Sequence, residues 1–417
     1  METNATRRKK NILIIVQHLC RGGAEKSAAK LSVDLAGNYN VHIVTFFSNR
    51  DYETTFEYEG LLLPMNQSSK GGLFKKVLCF FSRVFFLRKI KKQYQIDCSI
   101  SFMVNADIAN LLSRTFDKVV VSIRTSKDIK SRKSVNRWLF RNLYKSADCL
   151  IVQNSSAELL LRNNIGINAE LIKIIPNYFD IKAIVKKAEA DIAIDTEASS
   201  FFILGHISRL YPVKGQFYLL RIFNELRKSS DKYRLLIVGE GDLKLSLLDY
   251  SKKLNLRAIF ESSYDSNTIR LNDADVFFAG FDPNPYKYLR FMDVFLFTSL
   301  LEGFPNALAE AMICGKVVVS TNCDTGPMDL IGYESEEIKV FPHKTDYGYL
   351  MPTFNAVIPE FYEPLSEAEI AWVELIRILS SNKFENQNMG KMASLRMKEY
   401  DKTEVIGKWF NLINGIC

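Results

Sequence analysis

The chain has 417 residues, 47% hydrophobic and 24% charged, a globular composition that excludes a disordered or collagen-like polypeptide and is long enough for two or three domains. Its net charge of +8 is uneven: residues 1–190 carry 31 Lys and Arg against 16 Asp and Glu, while residues 191–417 are net negative by 7. A basic first half suits an anionic partner, or else keeps a basic surface soluble.

Strand-like apolar runs alternate with helical periodicity along the chain. The amino terminus passes from Arg7-Arg8-Lys9-Lys10 straight into a strand near 11–16, and the Gln17-His18 that follows does not fit a signal peptide. Ala24, Ala28, Leu31 and Leu35 predict a helix with one buried face, and further strands are expected near 40–46, 97–102, 118–123, 148–152 and 171–175. Residues 181–200, rich in Ala, Asp and Glu, read as a linker. Beyond it strands are expected near 201–206, 234–238, 276–279, 293–298 and 316–320, with helices near 215–228, 242–253 and 305–314 and a helical tail after about Asn386. Short apolar strands alternating with longer helices give an α/β protein, two doubly wound parallel-sheet blocks with the site in a cleft between them. The expected domains are 1–185 and 186–399, with a helix at about 400–417 packing back on the first.

Two segments concentrate positive charge. Residues 75–92 place apolar side chains at 77, 78, 81, 84, 85 and 90 among Lys75, Lys76, Arg83, Arg88, Lys89, Lys91 and Lys92. This is either a helix packed on a sheet with snorkelling lysines or one lying on an anionic membrane surface. Ser82 and Arg83 interrupt its apolar run, so it is too broken to span a bilayer. The second cluster, Lys127 to Arg141, is less apolar. Neither has the aromatic and arginine interleaving of an RNA-binding strand, so nucleic acid is not an expected partner. Seven scattered cysteines without a CxxC pair indicate a reduced, cytoplasmic protein.

The richest segment runs from Phe297 to Gly315. A buried strand leads through Glu302-Gly-Phe304-Pro305-Asn306-Ala307-Leu308 into a helix that starts at proline and stops at glycine. The amides of Asn306, Ala307 and Leu308 at its positive end suit an anion. Glu302 lies ahead of that turn and Glu310 roughly 6 Å behind it, so carboxylates flank a place for a pyrophosphate bearing hydroxyls on both sides. Upstream, Arg209 and Lys214 stand five residues apart around Pro212. A bidentate guanidinium and a point-charge ammonium can clasp a diphosphate, and cations fixed there stabilise charge growing on a nucleoside diphosphate leaving group. Gly22-Gly23 opens the first helix and allows close backbone approach to a phosphate or sugar. Neither it nor Val238-Gly239-Glu240-Gly241 forms the three-glycine dinucleotide fingerprint, and Asp273-Ala-Asp275 precedes a strand instead of ending one, so it reads as structural and not as a metal site.

Together these segments resemble the retaining glycosyltransferases of family 4 (group 1). The resemblance covers nearly the whole chain through Gly22-Gly-Ala-Glu25, Ile175-Pro-Asn-Tyr178, Arg209…Lys214-Gly215, Val238-Gly-Glu-Gly241, Phe278-Ala-Gly280, Glu302 and Glu310 with seven residues between them, Gly315-Lys-Val-Val-Val-Ser-Thr321 and Gly326-Pro327. Gly-Gly-Ala-Glu and Cys323-Asp-Thr-Gly-Pro327 are similar to the bacterial enzymes that build capsule, O-antigen and related surface polysaccharides. The resemblance implies a GT-B fold and a metal-independent, cofactor-free transferase moving a sugar from a nucleotide-sugar to a growing glycan, with a lipid-linked acceptor expected. The protein is expected in the cytoplasm, either free or, through residues 75–92, peripheral on the inner face of the cytoplasmic membrane. Arg209 and Lys214 would bind the donor diphosphate, Glu310 the ribose and Glu302 the transferred sugar. The segment Phe304–Leu308 would hold sugar and phosphates, with Gly22 and Gly23 approaching from the first domain. Many members carry a first-domain histidine near the sugar; the matching strand end here reads Ser122-Ile-Arg124-Thr-Ser126, which puts Arg124 on the acceptor or sugar side. A nucleotide-sugar epimerase and a silent GT-B scaffold are the other readings.

Overall fold

The computed structural model describes residues 8–20, 22–47, 56–67, 72–124, 141–195, 201–261, 268–323, 326–332, 338 and 340–417. The chain forms two compact units, Met1–Asn177 with Thr403–Cys417, and Tyr178–Lys402.

In the first unit seven parallel strands lie in the order β3-β2-β1-β4-β5-β6-β7. They are β1 (Asn11–Val16), β2 (Asn40–Phe47), β3 (Leu61–Gln67), β4 (Cys98–Phe102), β5 (Lys118–Ser122), β6 (Cys149–Val152) and β7 (Ile172–Ile174). The central strands are apolar on both faces because helices cover both. Leu13, Ile15, Val44 and Phe46 pack with Leu87 and Ile90 of the helix Leu73–Gln93. Strand β3 was not expected, since Pro64 interrupts its run. It forms because it is an edge strand, where a missing N–H costs no ladder bond. The last helix, Lys402–Ile416, lays Val405, Trp409 and Ile413 inward. Asn414 Oδ1 accepts from Lys10 Nζ and Tyr39 OH, both at 3.2 Å, so residues 403–417 belong to this unit.

The second unit holds an eight-stranded sheet in the order β11-β13-β10-β9-β14-β15-β17-β16, and β8 (Ala193–Ile194) pairs separately with β12 (Thr268–Ile269). The sheet strands are β9 (Phe202–Ile207), β10 (Tyr233–Val238), β11 (Ala258–Phe260), β13 (Val276–Phe278), β14 (Val294–Phe297), β15 (Val317–Thr321), β16 (His343–Lys344) and β17 (Tyr349–Met351). All pairings are parallel except β16 with β17. The expected linker at 181–200 is not one over its described part, 181–195, and residues 196–200 lie outside the described residues. Asp180 caps the helix Ile181–Ala188 by accepting from Ala183 N at 2.9 Å, and that helix packs on the helices Tyr286–Leu289 and Asn306–Ile313. The division therefore falls at 177/178 and not at 185/186.

Candidate functional site

Each large sheet reverses its winding direction once. In the second unit this happens between β9 and β14, and in the first between β1 and β4. Segments leaving the carboxyl ends of strands at such a switch point diverge and leave a crevice.

The segment after β9 makes a 3-10 turn, Pro212–Lys214, that ends at Gly215 with φ 70°. A Cβ there would lie 2.2 Å from the Thr298 carbonyl oxygen, so only glycine lets this segment touch the one after β14. The two are stitched by Leu300 N donating to Val213 O at 2.8 Å and Thr298 Oγ1 to Lys214 O at 2.9 Å. The stitching delivers Lys214 Nζ to Glu302 Oε1 at 2.5 Å, with the side chains only 19% and 11% exposed. Arg209 is exposed, stacks on Tyr211 with 5.1 Å from its guanidinium carbon to the ring centre, and meets no carboxylate among the described residues.

Pro305 occupies the N-cap position of the helix Asn306–Ile313 instead of its first turn. The Asn306 N–H is donated to Phe304 O at 3.0 Å, so it is not one of the open donors expected there. Ala307 and Leu308 stand in the first turn, where amides have no acceptor within the helix. Phe304 is buried against Phe179 and Tyr400, with ring centres 6.2 and 6.0 Å away. Glu310 Oε1 accepts from Tyr286 OH at 3.1 Å. Burial, and then the Glu310 charge, raise the Tyr286 phenol well above its ordinary range, so it remains a donor. Tyr286 carried no sequence signal, because it reaches Glu310 across 24 residues, from the short helix that precedes β14.

In the first unit the segment after β1 enters the helix Gly23–Ala36 through Gly22, whose φ is 113° and whose Cβ would lie 2.3 Å from Glu25 Oε2. Glu25 is buried, with Oε1 3.7 Å from His18 Nε2. Gly23 is the first helical residue. Arg124, after β5, lies over the Phe102 ring at 4.7 Å and donates from Nη1 to Asn177 Oδ1 at 2.7 Å. Asn177 Oδ1 also accepts from Gln153 Nε2 at 2.7 Å and Ser27 Oγ at 3.3 Å. Three distant segments thus converge on one amide oxygen of a fourth, and of these residues the sequence had pointed to Arg124 alone as a site side chain. The only hint was Pro-Asn after the β7 run.

Asp275 is buried at the amino end of β13, accepting from Arg257 N at 2.8 Å and from the Arg227 and Arg257 guanidinium groups. Burial alone would raise its carboxyl, but these partners hold it below the usual carboxylate range, which makes Asp273-Ala-Asp275 a structural element. No cluster of His, Cys, Asp and Glu among the described residues is arranged to hold a metal ion.

The helix Leu73–Gln93 has two faces. Lys91, expected among the outward cations, is instead buried, with Nζ 2.8 Å from Asp117 Oδ2 and 2.7 Å from Asn110 Oδ1. Leu78, Phe81 and Phe85 stand outward at 55%, 54% and 70% exposure beside Val77, and Arg88, Lys89 and Lys92 are exposed one to two turns on. The Lys75 side chain lies outside the described residues, as does the cluster from Lys127 to Arg141 apart from Arg141 itself. No helix among the described residues is long and apolar enough to cross a membrane.

Residues 21–183 match the family described as Glycosyltransferase Family 4, and residues 202–347 match Glycosyl transferases group 1. A Campylobacter jejuni N-acetylgalactosamine-N,N'-diacetylbacillosaminyl-diphospho-undecaprenol 4-alpha-N-acetylgalactosaminyltransferase is 30% identical over 328 residues, 76% of this chain and 82% of that protein. An uncharacterized glycosyltransferase of Methanocaldococcus jannaschii is 27% identical over 385 residues, 85% of this chain and 88% of its own. The crystal structure of Anabaena HepE in complex with UDP superposes with a TM-score of 0.69 at 17% identity, covering 97% of this chain and 100% of HepE. With two parallel-sheet Rossmann-like units and these matches along both, the chain belongs to the family 4, group 1 glycosyltransferases and is a GT-B enzyme that uses a nucleotide-sugar.

Proposed function

We propose that this protein transfers a sugar, with retention of anomeric configuration and without a metal, from a nucleotide-sugar to a polyprenyl-diphosphate-linked glycan in surface-polysaccharide assembly. The observation that carries this reading is the Lys214–Glu302 pair at the β9/β14 switch point, with Arg209 exposed on the same segment after β9, meeting no carboxylate among the described residues, and Glu310 on the helix after β14. Arg209 and Lys214 take the diphosphate, Glu302 a hydroxyl of the transferred sugar, and Glu310 the ribose. The amides of Phe304, Ala307 and Leu308 face sugar and phosphate, with Pro305 and Asn306 shaping the turn. Gly22 and Gly23 admit the donor closely, and Arg124, braced by Asn177, contacts the sugar or acceptor. The acceptor hydroxyl attacks the anomeric carbon from the face the diphosphate leaves, and its proton passes to the departing phosphate oxygen. Fixed cations favour that charge development.

The undecaprenol diphosphate in the Campylobacter relative's name supports a lipid-linked acceptor. The outward ridge of Leu78, Phe81 and Phe85 followed by Arg88, Lys89 and Lys92 supports contact with the cytoplasmic face of an anionic membrane. The decisive experiment incubates the protein with a panel of nucleotide-sugars, with and without undecaprenyl-diphosphate-linked glycans, and assigns the product anomer by NMR. Acceptor-dependent transfer with the donor's anomeric configuration is expected. Sugar turnover without acceptor would favour an epimerase, and no turnover of any donor would favour a scaffold.

A further inference from the structure

Strands β9 and β14 are paired through Leu204 with Val294 and Gly205 with Phe295, and then part. His206, fully buried, occupies the fork. Its Nδ1 lies 2.8 Å from Leu296 O, which can only accept, so Nδ1 carries the hydrogen. Desolvation lowers the imidazole to about 4, aided by the nearby Lys214 charge, and the ring is neutral. Its Nε2 is then an acceptor, and Ser208 Oγ lies 2.8 Å from it and 3.1 Å from Arg209 O; its one hydrogen serves the shorter contact, to Nε2, since the Arg209 carbonyl has another donor in Gln216. The Ser208 oxygen accepts from Gln216 Nε2 at 2.9 Å, and the second hydrogen of that amide goes to Arg209 O at 2.9 Å. Inverting the Gln216 amide would set oxygen against the Arg209 carbonyl, so the direction of the chain is fixed. It runs without a gap from β14 to the Arg209 backbone and closes the segment 208–216 that carries Lys214.

We propose that His206, Ser208 and Gln216 form a positioning relay that holds Arg209 and Lys214 in register for the donor diphosphate. The inference rests on the diphosphate-binding reading of those two cations. The physical need is plain: the backbone ladder between β9 and β14 has ended, yet charge stabilisation demands cations placed within a fraction of an ångström. The imidazole replaces the lost ladder bond and passes the position of β14 to the segment.

The test compares affinity for a nucleoside diphosphate with that for its parent nucleoside, using whichever of UDP, GDP, ADP or TDP most raises the melting temperature. Ser208→Ala and His206→Asn should each weaken the diphosphate about tenfold, the order of one lost hydrogen bond. The nucleoside's affinity and the melting temperature should hold, and Ser208→Thr should restore binding. The Arg209→Ala, Lys214→Ala double variant should abolish the advantage of diphosphate over nucleoside. If that variant keeps the advantage, or no diphosphate shifts melting, the diphosphate reading fails and the relay with it. If the double variant loses the advantage while Ser208→Ala and His206→Asn keep it, or weaken both ligands equally, the relay alone is overturned.

Discussion

Lys214 and Glu302 meet at 2.5 Å across 88 residues of sequence, joining the segments that leave β9 and β14. Because the two are largely shielded from solvent, they act as a unit. In kcat/KM, Lys214→Ala and Glu302→Ala should each be severe, and the double variant should be less damaging than their sum by roughly 0.5–3 kcal/mol. Strict additivity in a double-mutant cycle would show that the pair is not coupled in the reaction.

Gly215 is the point where the two segments touch. A methyl group there meets the Thr298 carbonyl oxygen at 2.2 Å and a left-handed backbone as well. Gly215→Ala should lower stability by about 1–3 kcal/mol, read from the urea midpoint. It should also reduce nucleoside diphosphate affinity, because Lys214 is displaced with the turn.

His206 makes stability depend on acid. Its folded value is about 4 against 6.5 for the free side chain, so the unfolded chain binds this proton first as pH falls. Its contribution is intact above pH 6.5 and is lost progressively as pH falls from there towards 4, to a limit on the order of 3 kcal/mol. His206→Asn should flatten that part of the stability curve relative to the parent chain. Parallel curves in urea titrations at pH 7, 6 and 5 would contradict the assignment.

The helix Leu73–Gln93 should separate into two behaviours. Phe81→Glu with Phe85→Glu should reduce co-sedimentation with phosphatidylglycerol vesicles several-fold and leave melting unchanged, since both side chains face solvent. Lys91→Met should do the reverse. It strands Asp117 in the interior and should cost about 3–5 kcal/mol, with vesicle binding by the folded fraction retained. Undiminished sedimentation of the Phe81/Phe85 variant would remove the membrane role of the ridge.

The alternation of apolar strands and amphipathic helices was enough to establish the α/β class, because a strand covered on both faces must be apolar throughout and its helices must carry a 3.6-residue stripe. Residue types and short spacings also singled out Arg209, Lys214, Glu302 and Glu310 as candidates, because anion chemistry is written within single turns. Pattern reading missed β3, where an edge position excuses Pro64, and it mistook the helix Ile181–Ala188 for a linker, since Asp180 and a short apolar face are weak signals alone. It also set Lys91 on the surface: a lysine is read as solvated unless a buried carboxylate waits for it, and Asp117 lies 26 residues on. The polar partners of the candidate site residues, from His206, Ser208 and Gln216 to Tyr286, Asn177 and Gln153, were decided by tertiary structure alone. Their partners are set by which strands lie side by side and where they part, and no local pattern of residues encodes that distance.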